Sequence, residues 1–381
     1  MKKKKILFWR SVLALIGAII GVGIFGIPYV AAKAGFILAI GYILLLGSIN
    51  LMMVLGYAEI VGHFDGRSRL VGSVRRHLGE HWGMLMACAL FAGIWGAMVA
   101  YTIIGGEFLY TLLHGLLGGK IFIFQISFLV VMSLLLIGGL GMVSRIQGMF
   151  VVFLLILLLF IFIGSIPSIE LSRLTGFSFD KVFLPFGVIL FAFGGLAVVP
   201  EMKQILGSRY SALLPKASVV GFALISAVYI LFTATVVAVT GLHTSEEAII
   251  GLGKELGDWA LYTGVLIGLI SVATSFLILG VEVMDTLIYD YKRRYLIAYF
   301  MAVIPPATVF FLGARDFINV IGFTGGVLAS IVGLIFIAMY VRLKKSAWLP
   351  KRALRIPNFV MYLAGFVLLS GMITTIAQAI L

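Results

Sequence analysis

Three glycines in the stretch GAIIGVGIFGIPYV, Gly21, Gly23 and Gly26, have the G-x-G-x-x-G spacing of a turn that cradles a dinucleotide pyrophosphate. That chemistry needs a strand before the turn, a helix after it and an acidic residue about 20 residues further on to hold a ribose. Here the apolar run FWRSVLALIGAII precedes the glycines, and GYILLLGSINL, without a carboxylate, stands where the acid would be. Other chemistry-bearing residues are sparse. The five histidines, His63, His77, His81, His114 and His243, fall in loops or at the ends of apolar runs, and no H-E-x-x-H occurs. The Tyr289–Asp290 pair in IYDYKRR has no G-x-G-D partner, so an intramembrane enzyme lacks its ligands or its acid pair. Cys88 is the single cysteine and can form no intrachain disulfide. There remain hydroxyls and carboxylates set among apolar residues. Ser271, Thr274 and Ser275 have the three- and four-residue spacing that puts them on one helix face, as do Glu282 and Asp285. Glu107, Glu201, Glu282 and Asp285 are the candidate proton or gating carboxylates, because ionisable groups inside apolar segments are costly and usually functional.

The elements that position these residues follow from composition. Hydrophobic residues make up 62% of the 381, charged residues 11%, and the mean hydropathy is +1.19, against about 25% charged residues in an average soluble domain. The chain reads as an integral, all-α polytopic membrane protein, since lipid leaves only helices or closed barrels and these runs are too long for barrel strands. The start MKKKKILFWRSVLALIGAII resembles a secretory signal but is expected to be a retained first helix. Windows of about 20 apolar residues predict eleven spans, at about 11–34, 36–62, 83–117, 121–143, 146–167, 181–205, 213–241, 257–288, 295–313, 316–341 and 357–380. With the amino terminus in the cytoplasm, all Lys and Arg fall inside except Lys33, Lys120, Arg173, Lys181, Lys254 and Arg315. The inside set includes Arg67, Arg69, Arg75, Arg76, Arg145, Lys351, Arg352 and Arg355. The net charge of +13 is then a matter of topology and of attraction to the lipid bilayer, and calls for no nucleic-acid partner. An odd number of spans puts the carboxyl terminus outside the cell. The chain is one domain, residues 1–381, of a multi-pass plasma-membrane protein. Its largest loop, HFDGRSRLVGSVRRHLGEHW, reads as an interfacial amphipathic helix held to headgroups by basic residues.

The glycines now acquire another meaning. Gly17, Gly21, Gly23, Gly26 and Pro28 weaken span 1 and remove a backbone donor, leaving polar groups that are tolerated only against protein, a cavity or a ligand. Small-residue packing explains Gly17 and Gly21 equally well, but does not require the rest. In span 6, GVILFAFGGLAVVPEM places Gly194 and Gly195 just before Pro200. Spans 1 and 6 open two halves of five helices, 11–167 and 181–341, with 357–380 an extra, peripheral helix. Five is odd, so the halves are inverted, and paired breaks in inverted halves point to a midplane site where half-helix amino termini meet an anion.

GAIIGVGIFGIPYVAAKAGF resembles the first helix of permeases of the amino acid, polyamine and organocation superfamily. FAFGGLAVVPEM is similar to their sixth helix, SVATSFLILGVEVMD to the eighth, nearest the aromatic and hydroxy amino acid branch, and FINVIGFTGG to the tenth. The resemblance implies a LeuT-type 5+5 inverted repeat plus one helix, with helices 1 and 6 discontinuous, moving an amino acid by alternating access as an Na⁺ or H⁺ symporter. It implies that Val22, Gly23, Ile24 and Gly26 hold the substrate's carboxylate and ammonium, with Phe191, Ala192, Phe193 and Gly194 opposite. Tyr101 stands where relatives place a carboxylate-facing hydroxyl, or is an interfacial anchor. By position, Na⁺ would bind the carbonyls of Gly17 and Ile20 with Ser271, Thr274 and Ser275, unless those hydroxyls bond back to their own helix. Span 5 has no lysine to replace the ion, and Gly17 stands where some sodium-coupled relatives have asparagine. Phe191, Phe193, Phe276 and Phe323, with Trp95 and Met98, suggest an apolar or aromatic substrate. No organic cofactor and no metal beyond Na⁺ is expected. A non-transporting sensor or a channel on the same fold is the alternative.

Overall fold

Lipid offers backbone groups no partners, so each long apolar run satisfies itself as a helix. The computed structural model describes residues 2–62, 69–138, 140–346 and 356–380, and within 140–150 the backbone alone. His63, Arg67, Lys351, Arg352, Arg355 and the side chain of Arg145 lie outside the described residues.

Span 1 is a broken pair, Lys2–Ile19 and Gly23–Ala34, bent by 58°. Span 2 is Phe36–Gly62, span 3 Glu80–Leu117, span 4 Ile121–Leu136 and span 5 Leu140–Ser165. Span 6 is again two helices, Leu184–Ala192 and Val199–Tyr210, and span 7 is Leu214–Thr240. Were Leu184–His243 one rod, its 60 residues would run about 90 Å, three times a bilayer core. The chain turns instead at Gly207, whose φ is 66°, and through the short turn Ser211–Leu213. Span 8, Asp258–Asp285, continues into a π-helical turn, Thr286–Asp290. Span 9 is Tyr295–Phe311, with Pro305 and Pro306 inside it. Span 10 runs Phe317–Phe323, then a π-helical stretch Thr324–Ala329, then Ser330–Lys345, and span 11 is Asn358–Ile380.

One boundary departs from expectation. The turn between spans 4 and 5 comes at Ile137–Gly138, ahead of the break expected between 143 and 146, where Arg145 stands. Glycine ends the helix there, and charge does not.

The packing has an internal exchange symmetry. Span 1 lies against span 7 and span 6 against span 2; span 3 lies against span 10 and span 8 against span 5; spans 3 and 8 cross each other. Advancing every partner by five converts each of these contacts into another. That is what two inverted five-helix halves require. Span 11 stands outside this scheme, touching span 10 and the start of span 6 through Met361, Ala364, Leu368 and Gly371.

The loop between spans 2 and 3 forms a link helix, Leu70–Leu78, which buries Leu70, Val71, Ser73 and Val74. Its basic residues serve protein partners in addition to any headgroup. Arg69 pairs with Glu282 and Asp285, and Arg75 donates to the Asp290 carbonyl and faces Glu80.

Candidate functional site

The helix of span 1 stops at Ile19 and restarts at Gly23. No side chain caps the restart; the Phe25 amide bonds back to the Val22 carbonyl at 3.1 Å, and those of Gly23 and Ile24 are left for something else to satisfy. Backbone packs tightly at Gly23, and side-chain hydroxyls crowd Gly21. A Cβ on Gly23 would lie 2.7 Å from the Ala192 Cα in span 6, and one on Gly21 would lie 2.9 Å from the Tyr101 Oη and 3.0 Å from the Ser275 Oγ. In span 6 the first helix ends at Ala192, and the chain passes through Phe193, Gly194 and Gly195 and a short turn, Leu196–Val198, before Val199 begins the next helix, again with no side-chain cap. The second half of each broken span thus starts at its break, Gly23 in span 1 and, after the Leu196–Val198 turn, Val199 in span 6, with the positive end of its dipole there.

Between the two breaks is a cavity of about 160 Å³, some ten times the roughly 15 Å³ that one water needs on the same measure. Gly21 and Gly23 line it from span 1, Phe191, Ala192, Gly194 and Gly195 from span 6, Tyr101 and Ile94 from span 3, Asn50 and Met53 from span 2, and Thr324 from the π-helical stretch of span 10. The wall is largely apolar, with a few hydroxyl, amide and backbone groups converging on it. That is the usual make-up of a small-molecule site. The cavity extends toward the face carrying the amino terminus, where Ala18, Leu70 and Glu282 border it. Toward the opposite face it is closed: a Cβ on Gly26 would meet Ile321 at 2.7 Å, Val188 at 3.2 Å and Ile318 at 3.4 Å.

The unwound carbonyls have a partner that sequence reasoning missed. Tyr229 in span 7 is fully buried, and its hydroxyl lies 2.7 Å from the Ala192 carbonyl and 3.2 Å from the Ile19 carbonyl. These are the last carbonyls of the two first half-helices. One of 14 tyrosines in so apolar a chain gives no sequence signal. Asn50, donating to the Leu46 carbonyl at 2.9 Å, was also missed, although a lone asparagine in an apolar span is itself a signal.

The structure brings some of the sequence candidates together and leaves others apart. Gly23, Tyr101, Phe191, Ala192 and Gly194 line the cavity, while Val22, Ile24 and Gly26 are buried beside it. Phe193 is outside it, stacked on Phe222 and edge-on to Tyr229. Phe276 packs on Phe128 in the core, and Phe323 is 46% exposed on a different face. Trp95 donates to the Met301 carbonyl and Met98 is in the core. Of the ion-site candidates, Ser271 donates to the Ile20 carbonyl at 3.4 Å, and the buried Ser275 hydroxyl faces the hydroxyl of Tyr101. Thr274 instead bonds back to Ile270 and Ser271, and Gly17 is buried one turn before the break.

The carboxylates divide between the two faces. Glu107 lies away from the cavity, near Glu246 and Glu247 in the loop between spans 7 and 8, whose carboxyls burial pushes above the usual range. Glu282 and Asp285 share Arg69, at 3.3 Å and in a shorter contact respectively, with Glu201 nearby. Asp290 accepts from the amides of Arg69 at 3.1 Å and Gly72 at 2.8 Å, at the amino terminus of the link helix. Among the described residues no cluster of three or more His, Cys, Asp or Glu could hold a metal ion.

The sequence profile of the tryptophan/tyrosine permease family matches residues 2–378. No curated protein gives a significant match. Among solved structures, MhsT in complex with L-phenylalanine is similar, with a TM-score of 0.71 at 15% identity, over 95% of this chain and 98% of that one. A mutant manganese transporter of Eremococcus coleocola gives 0.66 at 14% identity, over 98% and 86%. Mhp1, a nucleobase-cation-symport-1 family transporter with bromovinylhydantoin bound, gives 0.65 at 13% identity, over 97% and 90%. The shared fold is the LeuT-type transporter fold, and at these identities it carries no information on cargo.

Proposed function

This chain belongs to the tryptophan/tyrosine permease family, and we propose that it carries a neutral amino acid with an aromatic side chain across the plasma membrane by alternating access. It does so with the amino terminus in the cytoplasm and the carboxyl terminus outside. The observation that carries the reading is one largely apolar cavity bordered by the restart of span 1 at Gly23 and by Gly194, Gly195, Leu196 and Ala197 of the span 6 break, neither with a side-chain cap. Peptide dipoles suit a carboxylate that must be held without a full countercharge. Amides of the Val22–Ile24 segment take the substrate carboxylate, and the carbonyls left by the two breaks take the ammonium. Phe191, Met53 and Ile94 face the side chain, with the Tyr101 hydroxyl and Asn50 as polar fixtures. Membership of a tryptophan/tyrosine permease family and the L-phenylalanine held by MhsT both favour an aromatic side chain.

Transport is coupled to a cation, H⁺ or Na⁺. For Na⁺ the available oxygens are those of Ser271, Ser275 and the Ile20 carbonyl. The test is uptake of radiolabelled amino acids by purified protein in liposomes under separately imposed H⁺ and Na⁺ gradients. Saturable uptake of tryptophan, tyrosine or phenylalanine under one gradient is expected, and Ser275→Ala removes any sodium stimulation. Binding without uptake under either gradient overturns transport and leaves a sensor.

A further inference from the structure

Beside the end of the cavity nearest the amino-terminal face lies a cluster of charged side chains whose charges, among the described residues, do not balance. Arg69 gives one guanidinium to two carboxylates: Nη1 to Glu282 Oε2 at 3.3 Å, and Nη2 to Asp285 Oδ2. Among the described residues, the other groups facing Glu282 add negative charge or none. Glu201 comes from span 6, Asp290 from the end of its own helix, and the Tyr57 hydroxyl from span 2. Asp290 is already engaged by the link-helix amides, and Arg75 is bound to the Asp290 carbonyl and set against Glu80. One guanidinium thus faces more carboxylate than it can neutralise in surroundings poor in water, where an unbalanced buried charge is removed by taking up a proton.

Glu282 differs from its neighbours in one respect. It is 8% exposed, its Oε1 is buried with no hydrogen-bond partner, and it is the one carboxylate on the cavity wall among the described residues. Asp285, which does not line the cavity, has the closer hold on Arg69.

We propose that Glu282 is the proton-binding group of this transporter, exchanging its proton with the cavity, and that its charge sets the strength of the Arg69 latch closing the amino-terminal face. This rests on the transport reading above. With Glu282 ionised, Arg69 is held at two points on span 8 and the link helix is drawn over the cavity mouth. A proton on Glu282 removes one of the two attractions, leaving Asp285 alone, and the latch loosens. Opening admits water, the proton leaves to that side, and the ionised carboxylate recaptures Arg69. Proton delivery and closure of that face are then one event, at one side chain.

The test is substrate-dependent proton movement in proteoliposomes, read with an entrapped pH dye beside labelled amino acid uptake, so that protons per amino acid is the quantity measured. The wild-type ratio is expected to be finite, to fall to the background of empty liposomes in Glu282→Gln, and to be recovered in Glu282→Asp. A Glu282→Gln protein that moves protons at the wild-type ratio overturns the proposal. So does a wild type that takes up amino acid with no proton movement, which leaves the transport reading standing. A wild type that takes up no amino acid under any gradient overturns both. Should Glu282→Gln prove inactive, Asp285→Asn decides. Removing the competing carboxylate gives Arg69 wholly to Glu282 and lowers its proton affinity. The pH of half-maximal proton-driven uptake must then move to the acid side, and no shift or an alkaline shift overturns the proposal.

Discussion

Tyr229→Phe removes the one oxygen that reaches the carbonyls at the ends of both first half-helices. The hydroxyl proton serves the Ala192 carbonyl at 2.7 Å, with the Ile19 carbonyl at 3.2 Å as its alternative. The Ala192 carbonyl ends its half-helix and has no helical partner waiting, whereas the Ile19 carbonyl also accepts from the Gly21 amide at 2.9 Å. An orphaned buried acceptor costs about 1–3 kcal/mol, and where the loss falls on the substrate-binding geometry it appears as an increase of about 5- to 150-fold in Kd, at 1.4 kcal/mol for each factor of ten. Phenylalanine fits the same ring position beside Phe193, so the fold survives. Two measurements separate the cases: Kd for labelled tryptophan or tyrosine on purified protein, and thermal unfolding without ligand. Weaker binding with a melting temperature within a few degrees of wild type is expected. A lower melting temperature with unchanged Kd would refute the reasoning, showing that the hydroxyl supports the helix bundle and has no part in shaping the break.

Gly23→Ala sets a methyl 2.7 Å from the Ala192 Cα and 2.8 Å from its Cβ, backbone that cannot swing aside. Overpacking of about 1–3 kcal/mol is expected, read as a lower melting temperature together with weakened binding. Asp290→Ala strips the two amide contacts at the start of the link helix. At about 0.5–2 kcal/mol for a lost amino-terminal cap, faster hydrogen exchange in Leu70–Leu78 is expected, with the span cores unchanged. Glu247, in the loop between spans 7 and 8, has its carboxyl raised chiefly by burial. Its ionised form therefore weighs against the folded state above that raised value and not below the ordinary value of about 4.3. Glu247→Gln is expected to raise the melting temperature at neutral and alkaline pH and to leave it unchanged near pH 4.

Both breaks were legible in the sequence because glycine and proline act locally: Gly23 and Gly194 sit where the helices unwind, whatever surrounds them. Span number was legible for a similar reason, since hydropathy acts over the same 20 residues that cross the bilayer. What was not legible depends on contacts distant along the chain. Tyr229 meets Ile19 across 210 residues and Arg69 meets Asp285 across 216, and nothing local to either marks the partner. The phenylalanines went astray for a related reason. Phe276 and Phe323 satisfy an aromatic pattern, but in a chain with 30 phenylalanines the pattern does not say which rings face a cavity, a neighbouring helix or lipid.

The two ends of the cavity are closed by different forces, and that difference has consequences for the cycle. Toward the carboxyl-terminal face the seal is apolar: Gly26 against Ile321 and Val188, with Phe25 edge-on to Phe108 and Phe232. Such a seal scales with buried area and does not depend on charge state. Toward the amino-terminal face the seal is an ion pair shared by three side chains, weakened by protonation and by water. A change in pH therefore acts on one gate and leaves the other nearly untouched. An aromatic substrate does the reverse, adding apolar contact beside Phe191 where the first seal forms. Ion and substrate would each favour a different gate, which is the asymmetry that coupling needs. A cysteine at Leu70 should report it: its labelling by a membrane-impermeant thiol reagent ought to rise as the pH falls in the wild type and to be independent of pH in Glu282→Gln. Equal pH dependence in the two would separate the latch from the carboxylate.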